Sequence, residues 1–512
     1  MYPAFLIVTN LIQKRLLTNV AGPSGIIQRS LKGVCFPPFQ IGKELLYMPH
    51  LSSSVHVSKN TCNVCTAAQT LPSPEQLRTI LAESISTVME RHQNYHSSNA
   101  FCRNTQKLPL DKLTDFIFSM QSSNLPVQIA SYSGYCEEHQ FANSTLSEAR
   151  SKLNSQFFKD IFGQVMERLL LTGAFNTRKY RYPTYAIDGS TFHLEPFNKD
   201  SDDFLQTRSP KRKRAGSHIV AAYDVDNRLF MDIEVQKLAR KNERAGALEL
   251  MSRFKEKTIV IMDRGFHGFS FEMKIMEMGH LFLIRMKKRD YQSLLQIPEE
   301  YDIDSEVDIT KNLILVKKYL AQYKGDALHY PLRGKDKTCL EPNGERDFSI
   351  RLLKLRTDPR SDAIEPYQYF ITNLPESEFS KEDIRDLYKS RWAVETGFLE
   401  LKYSTGLQAV HARKMDAVKQ EIWARLILCN LCSAALAYCE EHRPVPSKPP
   451  KCKTVLNRKF AYELLRKFFN YEILEEEYLL RQIWKHKSQV KPGRYFSRHT
   501  QRKPDSNQHR IL

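Results

Sequence analysis

The first 43 residues contain no aspartate or glutamate, and the chain has no long uninterrupted apolar run. Its longest apolar stretch, from Leu426 to Ala437, is broken by Asn430 and falls short of the roughly 20 residues that a membrane-spanning helix needs. The acid-free start faintly resembles a transit peptide, and it has no basic segment before its short apolar core, as a secretory signal would. We therefore predict no transmembrane helix and interpret residues 1–72 as a leader with few structural signals.

The sequence also lacks a dense cysteine pattern, because its ten cysteines are scattered over 512 residues. This excludes a small disulfide-stapled secreted domain and favours a reducing compartment. Two CxxC pairs, Cys62/Cys65 and Cys429/Cys432, have a spacing that zinc sites use. The second pair lies in an apolar helical stretch, where free cysteine behaves as a small buried hydrophobe. We favour packing over zinc binding for it.

Acidic residues are outnumbered in the chain as a whole, which has 76 Lys and Arg against 58 Asp and Glu and a formal net charge of +18. The 41% hydrophobic and 26% charged residues exclude wholesale disorder and fibrous repeats. Basic side chains that face phosphates gain Coulomb energy and release condensed counterions. We therefore expect two or three folded domains at this length and a nucleic-acid partner.

The segment 73–180 has apolar residues at three- and four-residue spacing, which predicts a helical N-terminal domain. Within it, STLSEARSKL predicts a short helix whose Arg150 and Lys152 either contact DNA or are simply solvated. We interpret this domain as a DNA-binding region.

From Tyr185 the pattern changes to β-branched and aromatic runs, followed by alternating helix and strand signals. This order predicts an α/β domain over residues 181–440, with a mixed sheet and helices on its faces. The polar segment at about 288–346 looks like an insertion, and the chain turns helical again before Cys439. Residues 441–512 form a basic C-terminal region, whose end is either a phosphate-binding arm or a solvated tail.

The stretch IRDLYKSRWAVETGFLELK places Tyr388, Arg391, Glu395 and Lys402 on one face of a predicted helix. Taken alone, such a face is as consistent with an exposed salt-bridged surface as with an active site. Two further acids, Asp188 and Asp263, stand within or at the end of apolar strands, where a carboxylate needs a cation or a hydrogen-bonded cap.

These motifs, YAIDGSTFHL, IVIMDRGF and YxxRxxxExxxxxxK, occur in order and closely resemble the three signature regions of bacterial insertion-sequence transposases of the DDE class, in the insertion sequence 4 branch. The resemblance extends over roughly Tyr185 to Ala437. It implies a ribonuclease-H-like fold with a β-rich insertion between the second and third acids. It also implies that Asp188, Asp263 and Glu395 are the catalytic acids and metal ligands.

Three carboxylates brought together repel one another unless cations neutralise them, so such a cluster favours a divalent-metal site. Oxygen ligands favour Mg²⁺, with Mn²⁺ as a substitute, and we expect two ions. The resemblance further implies that Tyr388, Arg391 and Lys402 contact DNA phosphates beside the third acid.

A basic run also stands between the first two strands of this domain, and it is either a DNA contact, a solvated loop or a nuclear address. Its residues are Lys211, Arg212, Lys213 and Arg214.

Some members of that family stack a flipped base on an aromatic side chain during a hairpin step. None of the three tryptophans lies in the insertion, so Tyr319 or Tyr330 would have to substitute. We expect Trp392 to be a packing residue.

The sequence therefore predicts a transposase that cleaves double-stranded DNA at terminal inverted repeats and joins the 3′-hydroxyl ends to target DNA. By family inference it acts as a homodimer in the DNA complex, in the bacterial cytoplasm. Two alternatives stay open: a nuclease without strand transfer, and a non-catalytic DNA-binding protein derived from a transposase.

Overall fold

The computed structural model describes residues 70–96, 101, 108–121, 123–135, 140–194, 204–205, 214–295, 304–314, 347–357, 365–412, 414–445 and 452–490. The predicted leader, the Cys62/Cys65 pair, Tyr319, Tyr330 and the end of the basic tail lie outside the described residues.

The N-terminal part of the described chain is helical, as the apolar spacing predicted. The first helix begins with a capping box, in which Ser73 and Gln76 satisfy each other's backbone N–H groups and Pro74 occupies the first turn. The helices are α1 (Pro74–Met89), α2 (Leu110–Ser119), α3 (Leu125–Tyr132), α4 (Asn143–Lys152) and α5 (Gln156–Leu171).

The strands of the second half form one mixed sheet, with a separate two-stranded ribbon near the end of the chain. The main-sheet strands are β1 (Thr184–Leu194), β2 (Phe204–Leu205), β3 (Arg214–Asp224), β4 (Leu229–Lys237), β5 (Ile259–Met262), β6 (Leu281–Met286), β7 (Val307–Ile314), β8 (Asp347–Arg356) and β9 (Tyr367–Thr372). The ribbon pairs β10 (Thr454–Leu456) with β11 (Lys487–Gln489).

The core of the sheet has the order β4-β3-β1-β5-β6. The first three strands are antiparallel neighbours, and β5 and β6 run parallel to β1. This strand order is that of a ribonuclease-H-like sheet, so the predicted mixed α/β fold is confirmed. Asp188 lies in the middle of β1, beside the point where the parallel β5 ends and Asp263 follows.

Helices cover both faces of this sheet. One face packs on α6 (Glu243–Met251) and α7 (Phe269–Glu277). Helix α8 (Lys288–Leu295) precedes β7 in the chain. The opposite face of the sheet packs on the helices that follow β9. These later helices are α9 (Lys381–Ser390), α10 (Trp392–Leu399), α11 (Met415–Glu441), α12 (Arg458–Phe469) and α13 (Glu476–Lys485).

The predicted insertion contains β7, which extends the main sheet through β8 and β9. Within the polar segment predicted at 288–346, residues 288–295 form α8 and residues 307–314 form β7, and residues 296–303 and 315–346 lie outside the described residues. Asp308 and Arg351 join β7 to β8 by an ion pair of 2.7 Å between nearly buried side chains. The charged residues made this segment look like a polar loop, whereas the two charges neutralise each other inside the structure.

Helix α11 is 27 residues long and apolar enough, by length and composition alone, to cross a membrane. Our estimate of a shorter apolar stretch was wrong about its length. Most of its apolar window is buried inside the protein, which is the burial expected of a core helix. The Asn430 that interrupts the apolar run exchanges hydrogen bonds of 2.8 and 2.9 Å with the backbone of Phe230 in β4.

The N-terminal helices share one hydrophobic core with α11. Arg150 of α4 is buried and donates to Glu421 of α11 at 2.7 Å and to Gln420 at 3.1 Å. The suggestion that Arg150 faces DNA is therefore wrong, because its guanidinium joins two helices. Lys152 pairs with Glu148 on the surface.

Candidate active site

Asp188 lies in β1 on the face of the sheet that α10 covers. Strand side chains alternate, so Ile187 packs towards α6 and α7 whereas Ala186 belongs to the core on the side of α10. Asp188 follows the parity of Ala186. One carboxylate oxygen accepts the N–H of Gly189 at 2.8 Å, and 23% of the side chain is exposed.

Asp263 comes directly after β5, the parallel neighbour of β1. All four residues of β5 are buried, so the strand fixes where the following carboxylate stands. One oxygen of Asp263 accepts the N–H of Gly265 at 2.8 Å. Each aspartate is thus oriented by a glycine amide, Asp188 within β1 and Asp263 directly after the neighbouring β5.

Glu395 lies in the first turn of α10, which packs on β1. The same helix lies close to β3, because a Cβ at Gly397 would be only 2.7 Å from the ring of Tyr223. Glycine at this position allows that close approach. The helix predicted as continuous through this motif is interrupted. Helix α9 ends at Ser390, the backbone bonds at Arg391 span three residues, and a π-helical turn follows at Glu400–Ser404.

Arg391, at the junction of α9 and α10, links two of the three acids. Its Nη2 atom lies 2.8 Å from Oε1 of Glu395, and its Nη1 atom lies 3.8 Å from Oδ2 of Asp188. The arginine is only 7% exposed. The contact of Arg391 with Asp188 therefore joins residues that are 203 positions apart in the chain.

The carboxyl group of Asp188 is costly to ionise in this setting. Its pKa is raised to about 6, chiefly by burial and also by the nearby carboxylates of Asp263 and Glu395. The Gly189 amide and the Arg391 guanidinium act in the opposite direction. Asp188 is thus within electrostatic range of both other predicted acids.

The donor set fits a hard divalent cation. Among the described residues, no three His, Cys, Asp or Glu side chains stand close enough to hold one ion together. Mg²⁺ does not require this, since it usually keeps several waters and is bound through one or two carboxylates and substrate phosphates. Asp188, Asp263 and Glu395 supply only oxygen ligands, and their repulsion is of the kind that a bound cation relieves.

The other residues of the third motif have protein partners. Tyr388 is buried, and its ring packs edge-on against Phe370 at 4.9 Å. The ammonium group of Lys402, in the π-helical turn, donates to the carbonyl oxygen of Thr191 in β1 at 2.8 Å. For Tyr388, Arg391 and Lys402, DNA contact stays a prediction.

Two expectations concern residues near the site. Trp392 is 43% exposed, with the Arg391 guanidinium 5.4 Å from its ring, so our expectation of a packing residue is wrong. In the basic run, Lys211, Arg212 and Lys213 lie outside the described residues. Of Arg214 only the backbone is described, at the start of β3.

Sequence reasoning missed two side chains that contact the loops around the acids, Glu243 and Arg244. The segment KNERAGALELM carried the signal, because an acid and an arginine at a helix start precede the second aspartate by only about twenty residues.

The sheet order is that of a ribonuclease-H-like domain, and the three predicted acids lie within it. Residues 179–431 match the family model described as "Transposase DDE domain", a range that contains all three acids. Over these residues the chain is therefore similar to transposase DDE domains.

Individual relatives match over a shorter segment. The chain is 39% identical over 61 residues to the putative transposase InsL of insertion sequence element IS186A of Escherichia coli K12, and equally to the transposase of insertion sequence element IS421 of Escherichia coli. The match covers 12% of this chain and 16% of each relative. These matches support the resemblance to insertion-sequence transposases.

A solved piggyBac transposase synaptic complex with hairpin DNA aligns with a TM-score of 0.39 and 10% sequence identity, over 80% of this chain and 84% of that one. This likeness is too distant to add to the strand order.

Proposed function

We propose that the protein is a metal-dependent transposase that cleaves DNA at the ends of an insertion sequence and joins the 3′-hydroxyl ends to target DNA. The observations that support the proposal are the electrostatic coupling of Asp188 to both other acids and the position of Arg391 between two of the three. We assign the protein to the insertion sequence 4 branch on its third motif, which is complete at all four positions.

The three acids are the groups that would hold Mg²⁺, with Mn²⁺ as a substitute and two ions at the site. Such ions activate a water or a DNA 3′-hydroxyl and stabilise the leaving oxygen of an in-line displacement at phosphorus. The chain itself holds Asp188 in β1, Asp263 directly after β5 and Glu395 in α10. Arg391 neutralises part of their charge, since it contacts both Asp188 and Glu395.

The substrate in this proposal is double-stranded DNA, both the terminal inverted repeats and the target. The net charge of +18 supports it, because phosphate neutralisation supplies much of the affinity of DNA-binding proteins. Lys402, seven residues after Glu395, is partly exposed and supplies a compact positive charge to this proposed interface. A homodimer that pairs the two ends, and action in the bacterial cytoplasm, belong to the same proposal.

The experiment uses the whole chain and a labelled duplex that carries the ends of the DNA segment encoding it. Cleavage and joining are followed with Mg²⁺ or with EDTA, for the wild type and for Glu395→Gln. We expect metal-dependent joined products from the wild type and a loss of at least about 10³-fold in the variant, since it removes an acid on which charge stabilisation depends.

The other outcomes select the alternatives. Cleaved but never joined DNA identifies a nuclease without strand transfer. Binding of DNA without cleavage by either protein identifies a non-catalytic DNA-binding protein. Cleavage that persists in Glu395→Gln, or in EDTA, contradicts the assigned site.

A further inference from the structure

We infer that Glu243 and Arg244, consecutive residues at the start of α6, are positioning residues that hold the glycines orienting Asp188 and Asp263. This inference deepens the proposed function and rests on it for its catalytic consequence. It begins from the amides of Gly189 and Gly265, each of which donates to one of the two acids at 2.8 Å.

Arg244 holds the loop that follows Asp263. Its guanidinium donates to the carbonyl oxygen of Gly265, from Nη2 at 3.1 Å and from Nε at 3.3 Å, and also to the carbonyl oxygen of His267. The amide of Gly265 points at Asp263 while its carbonyl is held by Arg244. A planar guanidinium with several donors can bind two carbonyls at once, which a lysine ammonium does less well.

Glu243 closes the opposite side of the glycine that follows Asp188. Its Oε1 lies 3.3 Å from Nε2 of the buried His218, whose Nδ1 is 2.9 Å from the hydroxyl of Thr191 in β1. A Cβ at Gly189 would lie 2.8 Å from both Glu243 and His218. The pair therefore packs directly on the backbone of Gly189, from the face of the sheet that Asp188 does not use.

A second contact supports the same loop from α7. Glu272 is fully buried and accepts from the ring of His267 at 2.7 Å and from the amide of Gly268 at 3.2 Å. The loop 264–268 is thus held on both sides. Since Glu243 and Arg244 are adjacent in one helix turn, a single rigid element contacts both β1 beside Asp188 and the loop that follows Asp263.

The test compares Arg244→Ala and Arg244→Lys with Gly268→Ala. A Cβ at Gly268 would lie 2.8 Å from Nη1 of Arg244, so the alanine displaces the guanidinium without removing its charge. The backbone of Gly268 is extended, at φ 170, and tolerates alanine. Arg253→Ala is the matched control, because Arg253 follows the same helix but pairs with Asp232 and Glu234 in β4.

All measurements use the full chain. They are the melting temperature, hydrogen exchange of the 263–268 backbone, Mn²⁺ binding by electron paramagnetic resonance, and the kcat and KM for DNA cleavage. We expect Arg244→Ala and Gly268→Ala to increase exchange in 263–268 and to lower Mn²⁺ affinity or kcat about 10–100-fold, the usual cost of losing a group that orients a metal ligand. The KM for DNA should stay unchanged, and Arg244→Lys should be intermediate.

Arg253→Ala should change only the melting temperature. Wild-type exchange in 263–268 together with wild-type kcat in Arg244→Ala would overturn the inference. A wild type that neither binds Mn²⁺ nor cleaves DNA contradicts the proposed function instead, and in that case unchanged exchange in Arg244→Ala still overturns the positioning role.

Discussion

Arg391 lies with its Nη2 atom 2.8 Å from the carboxylate of Glu395, one helical turn away, although only 7% of the arginine is exposed. The same guanidinium reaches Asp188 at 3.8 Å. An arginine between two acids stabilises their negative charges, and it can also bind a DNA phosphate. Its replacement therefore distinguishes an active-site face that contacts DNA from a salt-bridged surface.

Replacing Arg391 with alanine should weaken binding of the element ends. It should also raise the pKa of Asp188 above its present value of about 6. Arg391 lowers that pKa at present, so its loss removes a stabilising charge. The pH at which cleavage is half-maximal should therefore move upward. DNA affinity and a pH–rate profile measure the two effects, with Arg391→Lys as the variant that keeps the charge.

The opposite result has a clear meaning. Should Arg391→Ala melt the protein while DNA affinity of the folded fraction is unchanged, Arg391 belongs to a salt-bridged face and does not contact DNA.

Asp188→Asn should stabilise the folded protein near neutral pH. The folded-state pKa of Asp188 is about 6, above its ordinary value of 3.8, chiefly because of burial. Such a group supports folding fully below pH 4 and loses that contribution as the pH rises through 6. Removing the charge should therefore raise the free energy of unfolding at pH 7.5, by at most about 3 kcal/mol.

Denaturant titration at pH 4 and pH 7.5 gives the measurement. The gain of Asp188→Asn over the wild type should be largest at pH 7.5 and should shrink towards pH 4. An equal difference at both pH values would contradict the burial cost assigned to this carboxyl.

Lys402→Met should weaken DNA binding in a salt-dependent way. The methionine keeps the aliphatic stem but loses the charge and the hydrogen bond to Thr191. If Lys402 neutralises one phosphate, the slope of log affinity against log salt should fall by about 1. An unchanged slope would confine Lys402 to its role in joining the π-helical turn to β1.

Arg150→Ala should destabilise the protein by about 3–5 kcal/mol, because the buried Glu421 loses its arginine partner and keeps the more distant His411 side chain at 3.6 Å. Lys152→Ala, two residues away on an exposed pair, should stay within about 0.5 kcal/mol of the wild type. Chemical denaturation checks both. Equal effects would mean that the contact between α4 and α11 adds little to stability.

The sequence carried the local part of this fold. Period-two and period-3.6 patterns located the main strands and helices, and the apolar run before Asp263 marked β5 because a buried parallel strand needs both faces apolar. The acids could be chosen because each stands at a strand end or on the motif helix.

Long-range pairings were beyond such reasoning. Asp308 and Arg351 form a nearly buried ion pair across β7 and β8, and Arg150 is buried against Glu421, yet a charged residue in isolation predicts exposure. Whether a charge is buried depends on a partner that is distant in the chain. The contacts of Glu243 and Arg244 were missed for the same reason.

Helix α11 decides how the protein can be divided. The matched transposase region stops at residue 431, in the middle of this 27-residue helix, whose two ends serve different neighbours. Its N-terminal turns bind α4 through Glu421, and Cys439 near its C-terminal end accepts from Trp484 of α13 at 2.8 Å. A fragment limited to the matched residues would split α11 and expose the apolar surfaces on which the N-terminal and C-terminal helices pack. We therefore expect a soluble fragment that carries the three acids to need the flanking helices on both sides.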